Sequence, residues 1–182
     1  MGEFRLIGLT RLMSYIYCTQ KLAKEMGIKL SPSTRQQVGL GNWYANLLRV
    51  DRRKCVLFTH EQTLYSLFVA NLKKPAIQRL DEIFVEALSD QLKQEKFSLN
   101  LIEEILEEYE GKIEYAKTES RSLLGSMNDF AHLIKAEVNF HKSLENVDPD
   151  ILGKRLNRTP FSAINFEYPQ TLFRSRIEQR LN

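Results

Sequence analysis

Residues 41–68, GNWYANLLRVDRRKCVLFTHEQTLYSLF, constrain the fold of this chain more than any other stretch. Residues 43–50 and 54–59 read as two strands, each with apolar side chains on both faces: Leu47, Leu48 and Val50 in the first, Val56, Leu57 and Phe58 in the second. A strand that is apolar on both faces belongs inside a sheet covered on both sides. Asp51 and the arginines beside it break the pattern, so the two strands form an antiparallel hairpin. Its tip presents Arg52, Arg53 and Lys54 together, a scaffold suited to an anion.

At 182 residues the chain is long enough for one domain with a sizeable core. It lacks any apolar run of roughly twenty residues, so no membrane-spanning helix is expected. Residues 1–12 are too short and too polar for a secretory signal, and Met13 follows them; they read as an extension or leader before a single domain at 13–182. Cys18 and Cys55 are the only cysteines, which supports neither a disulfide framework nor a zinc site. The expectation is a cytoplasmic protein with reduced thiols.

The formal charge of +3 is unevenly spread. Residues 1–60 hold 10 Lys+Arg against 3 Asp+Glu, whereas residues 61–116 hold 6 against 12. A basic first third suits nucleic acid or another anionic partner.

Along the chain, residues 15–18 read as a short strand, and Thr19 opens a helix that Gly27 closes. Residues 31–41 are loop. After the hairpin, residues 65–70 form a third strand. Residues 77–92 and 99–110 are amphipathic helices, the second with Ser98 as its cap and a row of glutamates from Glu103 to Glu110 on its outer face. Residues 113–116 alternate as a strand. Residues 120–141 are the longest helix, and residues 149–155 a short one. FSAINFEY, between Pro160 and Pro169, reads as an edge strand, and residues 171–181 as a last helix bearing Arg174, Arg176 and Arg180. This order predicts an α+β fold: a small mixed sheet with a central antiparallel hairpin, packed against several helices.

CTQKLAKEMG, the hairpin NWYANLLRVDRRKCVLFTHEQTLYSLF and the junction AKTESRSLLGSMNDF together resemble a bacterial family catalogued as domain of unknown function six-nine-three-three. The resemblance runs from about Met13 to about Tyr168 and leaves residues 1–12 outside. It implies a single α+β domain of bacterial cytoplasmic origin. It also implies a portable module, since versions of the domain head longer plasmid-type reading frames. It carries over no catalytic residues.

No motif names a reaction. HExxH, CxxC, GxxxxGKS, GxGxxG and GxSxG are all missing from the sequence. His132 and His141 are nine residues apart, not the four of a helical ligand pair, so neither a metal nor a cofactor is expected. The glutamate row reads as a solvated face. What remains is a basic and amide-bearing set: Lys21, Asn46, Arg52, Arg53, Lys54, Lys117, Thr118, Arg121 and Asn128. Lys117 and Thr118 precede the long helix, Arg121 lies in its first turn, and Asn128 shares a face with Arg121. A helix start favours anions, and the arginine fork matches phosphate.

Three functions compete. The first is a nucleic-acid or phosphate-binding accessory module of mobile-element or defence type, with Tyr15, Trp43 and Tyr44 as stacking groups. The second is a small nuclease-like enzyme, in which His60 or His132 serves Lys117, Arg121 and Asn128 as acid or base. The third is an interaction protein whose arginine-bearing last helix docks a partner.

Overall fold

A computed structural model describes residues 13–32 and 39–181. The leader at 1–12 and most of the loop at 31–41 therefore lie outside the described residues. The sheet has five strands: β1 (Ser14–Cys18), β2 (Trp43–Val50), β3 (Arg53–His60), β4 (Ser66–Val69) and β5 (Ile113–Lys117). Their spatial order is β4-β3-β2-β1-β5. The hairpin β2–β3 is antiparallel and interior, β4 is antiparallel to β3, and β1 is parallel to both β2 and β5. The result is the expected α+β fold, with the hairpin inside the sheet.

The two-sided apolar character of the hairpin has a direct cause. Helices cover both faces of the sheet, so successive side chains enter two different cores. Trp43, Ala45, Leu47, Val56 and Phe58 point to one. Against them pack α1 (Gln20–Met26), α2 (Lys74–Ile77), α3 (Leu80–Gln94) and α4 (Leu99–Leu106). Tyr44, Leu48, Val50, Cys55 and Leu57 point to the other, beneath α5 (Arg121–Phe140) and α6 (Pro149–Asn157). The last helix, α7 (Pro169–Leu181), returns to the first face and buries Phe173 and Ile177 there.

The hairpin turns on two residues. Asp51 and Arg52 have φ of 47° and 60°, so Val50 pairs directly with Arg53 and the second strand begins one residue earlier than its apolar pattern suggests. Two consecutive positive φ values are what a tight turn between right-twisted strands requires.

FSAINFEY does not join the sheet. It folds into a closed turn in which Phe161 bridges to Glu167, with Asn165 and Phe166 at φ of 55° and 61°. It was expected as an edge strand, but the open edge of β4 is covered by α6 instead. There the amide side chain of Asn157 donates to the Ser66 carbonyl and accepts from the Ser66 N–H.

Candidate functional site

The anion candidates fall into two groups at the same end of the sheet. β1, β2 and β5 run in one direction, and Cys18 lies level with both Ala45 and Lys117. β2 continues five residues past that level before it turns, so the hairpin tip overhangs the end of β5 by about 16 Å.

The first group sits where β5 hands over to α5. The chain leaves β1 into α1 on the Trp43 face, and leaves the neighbouring parallel strand β5 into α5 on the Tyr44 face. Carboxyl ends of parallel strands whose connections diverge in this way are where open sheets hold ligands. Lys117 and Arg121 are exposed there, and Thr118 is half-buried. Ser120 caps α5: its hydroxyl accepts from the Leu123 N–H at 3.2 Å, while its own N–H donates to the Tyr44 hydroxyl at 3.2 Å. This cap satisfies one of the N–H groups of the first turn and sets the helix axis over β2. The Arg121 side chain makes no hydrogen bond or ion pair among the described residues. Asn128 lies two turns further along the same exposed face, about 10 Å from Arg121 along the axis.

The second group, at the hairpin tip, is mostly neutralised from within. Arg53 pairs with Glu145 and donates to Asn71 at 3.1 Å. Lys54 pairs with Glu25 of α1. Arg52 alone of the three is exposed and makes no hydrogen bond or ion pair among the described residues, although its charge is felt by neighbouring Asp51. Asp51 ties the tip to the far end of α5: one carboxylate oxygen accepts from the Ser143 hydroxyl at 3.1 Å and from the Leu144 N–H at 3.2 Å. Those bonds hold the Asp51 carboxyl below its ordinary pKa. Of the other two polar residues singled out, Lys21 is exposed on α1, and Asn46 accepts from the Thr19 hydroxyl at 3.1 Å.

The proposed stacking groups are not available to a ligand. Trp43, Tyr44 and Tyr15 are 0%, 1% and 6% exposed. Trp43 is the centre of an aromatic cluster with His60, Tyr65, Phe84 and Phe173, and its indole N–H donates to the Tyr109 hydroxyl at 3.1 Å.

His60 belongs to that cluster too. Its Nε2–H donates to the Leu40 carbonyl at 2.9 Å, and its Nδ1 accepts from Thr63. Burial pushes its pKa down to about 3, so the ring is neutral. Gly41 makes room for it: a Cβ there would lie 2.9 Å from His60 Nε2, at a φ of +118° that side chains rarely adopt. His132 is exposed on α5, eleven residues and about 16 Å beyond Arg121 along the axis. Neither histidine therefore stands beside Lys117 and Arg121.

The arginines of α7 are engaged within the chain. Arg174 lies over the Phe97 ring at 4.1 Å and donates to the Glu95 carbonyl, Arg176 donates to the Leu40 carbonyl at 2.5 Å, and Arg180 pairs with Glu108. This helix docks on its own chain.

Among the described residues, a cleft lies beside each end of α5. One, of about 440 Å³, lies beside its start and is lined by Tyr17, Asn42, Tyr44, Glu61, Gln62, Glu119 and Ser120. It is rich in acceptors and carries two carboxylates, which disfavour phosphate. The other, of about 220 Å³, lies beside its end, where Lys135, Asn139 and Lys142 meet Val50 and Asp51. Lys135, Asn139 and Lys142 were not among the sequence candidates. Their signal was present, because Lys135 continues the seven-residue spacing of Arg121 and Asn128.

The sequence model of the family described as Domain of unknown function (DUF6933) matches residues 15–172. The chain belongs to this family. No curated protein and no solved structure matches it. The DUF6933 match spans all five strands, α1 to α6 and the start of α7, so both anion groups and both clefts lie within it. Among the described residues no helix is long and apolar enough to cross a membrane.

Proposed function

We propose that this DUF6933 protein is a binding module for nucleic acid or another phosphate-bearing ligand, and that Lys117, Thr118, Arg121 and Asn128 form its primary contact. The observation that carries this reading is Arg121. It projects from the first turn of a twenty-residue helix, exposed and without an internal partner, at the end of a parallel strand pair whose connections diverge. Lys117 adds a second exposed charge within the same short segment. Of the tip residues, Arg52 is the one free to contribute, since Arg53 and Lys54 already hold carboxylates.

Contacts of this kind read charge rather than sequence. The cellular setting in this reading is a reducing cytoplasm, consistent with two buried free thiols. Charge reversal tests the site. Arg121→Glu is expected to keep the far-ultraviolet circular dichroism of the parent, because the side chain is exposed, and to lose binding of a labelled oligonucleotide at moderate salt. A folded variant that binds every polyanion as the parent does would remove the site and the function together.

A further inference from the structure

The exposed ridge of α5 carries a pattern that its buried face does not explain. At about 100° per residue, Arg121, Gly125, Asn128, His132, Lys135 and Asn139 fall within about 40° of one line along the helix. All six are exposed, and no side chain among them has a polar partner among the described residues. The ridge contains no carboxylate. Glu137 of the same helix points away from it and holds Arg155 and His141. Asp129 lies about 80° round from Arg121, off the line.

The ridge also leads somewhere. α5 starts over Tyr44 and follows β2 to the hairpin tip, where Lys135 and Asn139 meet Lys142 in the cleft beside Val50 and Asp51. Asp51 accepts from Ser143 and Leu144 and stays charged, but the cleft sets Arg49, Lys135 and Lys142 against this one carboxylate, a net positive lining. Exposed Arg52 lies at the same end.

We propose that the ridge from Arg121 to Lys142 is a track for a nucleic-acid duplex held by its backbone, with Lys135, Asn139 and Lys142 as a second phosphate-binding site. This rests on the anion-binding reading of Arg121 above. Length argues for a polymer. Twenty helical residues span about 30 Å, the axial rise of about nine nucleotides of one strand, whereas a mononucleotide reaches only one end. The side-chain types argue for a duplex. Sequence-tolerant single-strand binders offer large aromatic platforms for bases; the ridge line holds no ring larger than the His132 imidazole, and exposed Phe140 lies about 100° off it. Lysine, arginine and asparagine in a line supply phosphate and sugar contacts instead.

The test is the salt dependence of binding to a labelled duplex of about 20 base pairs, measured by fluorescence anisotropy, with a single strand of equal length and a mononucleotide as competitors. The parent is expected to prefer the duplex over both. Lys135→Ala/Lys142→Ala is expected to stay folded, since both side chains are exposed, and to lower the slope of log affinity against log salt by about 2. Lys29→Ala, which removes an exposed charge on the α1 side, is expected to leave that slope unchanged. An unchanged slope in the double variant, or a duplex bound no better than the mononucleotide, overturns the track. If Arg121→Glu still loses binding in that case, the primary site stands alone. If neither variant weakens binding, both proposals fall.

Discussion

Asn157 closes the outer edge of the sheet at Ser66. Its amide nitrogen donates to the Ser66 carbonyl at 2.9 Å, and its Oδ1 accepts from the Ser66 N–H at 2.7 Å. One side chain from α6 thus makes both bonds that a sixth strand would make at this position, and both residues are fully buried. An open strand edge invites pairing with other chains, and covering it is one way proteins prevent that.

Asn157→Ala should leave two buried main-chain groups unpaired. The expected cost is about 2–4 kcal/mol in denaturant titration. Exchange of the Ser66 amide hydrogen should accelerate more than that of Leu57, deep in β3. A variant within about 0.5 kcal/mol of the parent, with Ser66 still protected, would show that this contact does not hold the edge.

His60 predicts how stability responds to acid. Its folded pKa, about 3, is far below that of the unfolded chain, about 6.5. Between these values the unfolded chain binds a proton that the folded one does not. The stability contribution is therefore full above pH 6.5 and is lost as pH falls towards 3. From pH 7 to pH 5 the loss should be about 2 kcal/mol. His60→Gln, although less stable at every pH, should lack this component. Equal pH slopes in parent and variant would count against a neutral, sealed His60.

Cys18 and Cys55 predict thiol behaviour. They are buried on opposite faces of the sheet, Cys18 in the Trp43 core and Cys55 in the Tyr44 core, so they cannot meet. Burial pushes the Cys18 thiol up to about 12 and raises that of Cys55. Both should resist alkylation in the folded protein and react fully in denaturant. A mass short by the two hydrogens of an intramolecular disulfide, after thiol blocking, would contradict the packing.

What the sequence determined alone is what a few neighbouring residues control. Helix positions followed from periodicity and from caps that act within one turn: Ser98 and Ser120 accept from the Leu101 and Leu123 N–H groups, and Gly27 takes the left-handed conformation that ends α1. The hairpin, and its cover on both faces, followed from the apolar side chains that β2 and β3 carry on both faces. The anion candidates around Arg121 were legible for the same reason, since strand end and helix start are contiguous in the chain.

Tertiary structure decided whatever depends on residues distant in sequence. Residues 161–168 were expected as an edge strand, yet the open edge of β4 is closed by Asn157, a residue of α6 distant in sequence from Ser66. Trp43, Tyr44 and His60 look like ligand groups in isolation, yet packing from α7 and α5 seals them into the two cores. Arg53 and Lys54 lost their freedom to Glu145 and Glu25, which lie 92 and 29 residues away. Whether a charge is free for a ligand is set by which carboxylate the fold brings beside it. That is why the spacing of Arg121, Asn128 and Lys135 could be read from the chain, but their standing as an unpaired ridge could not.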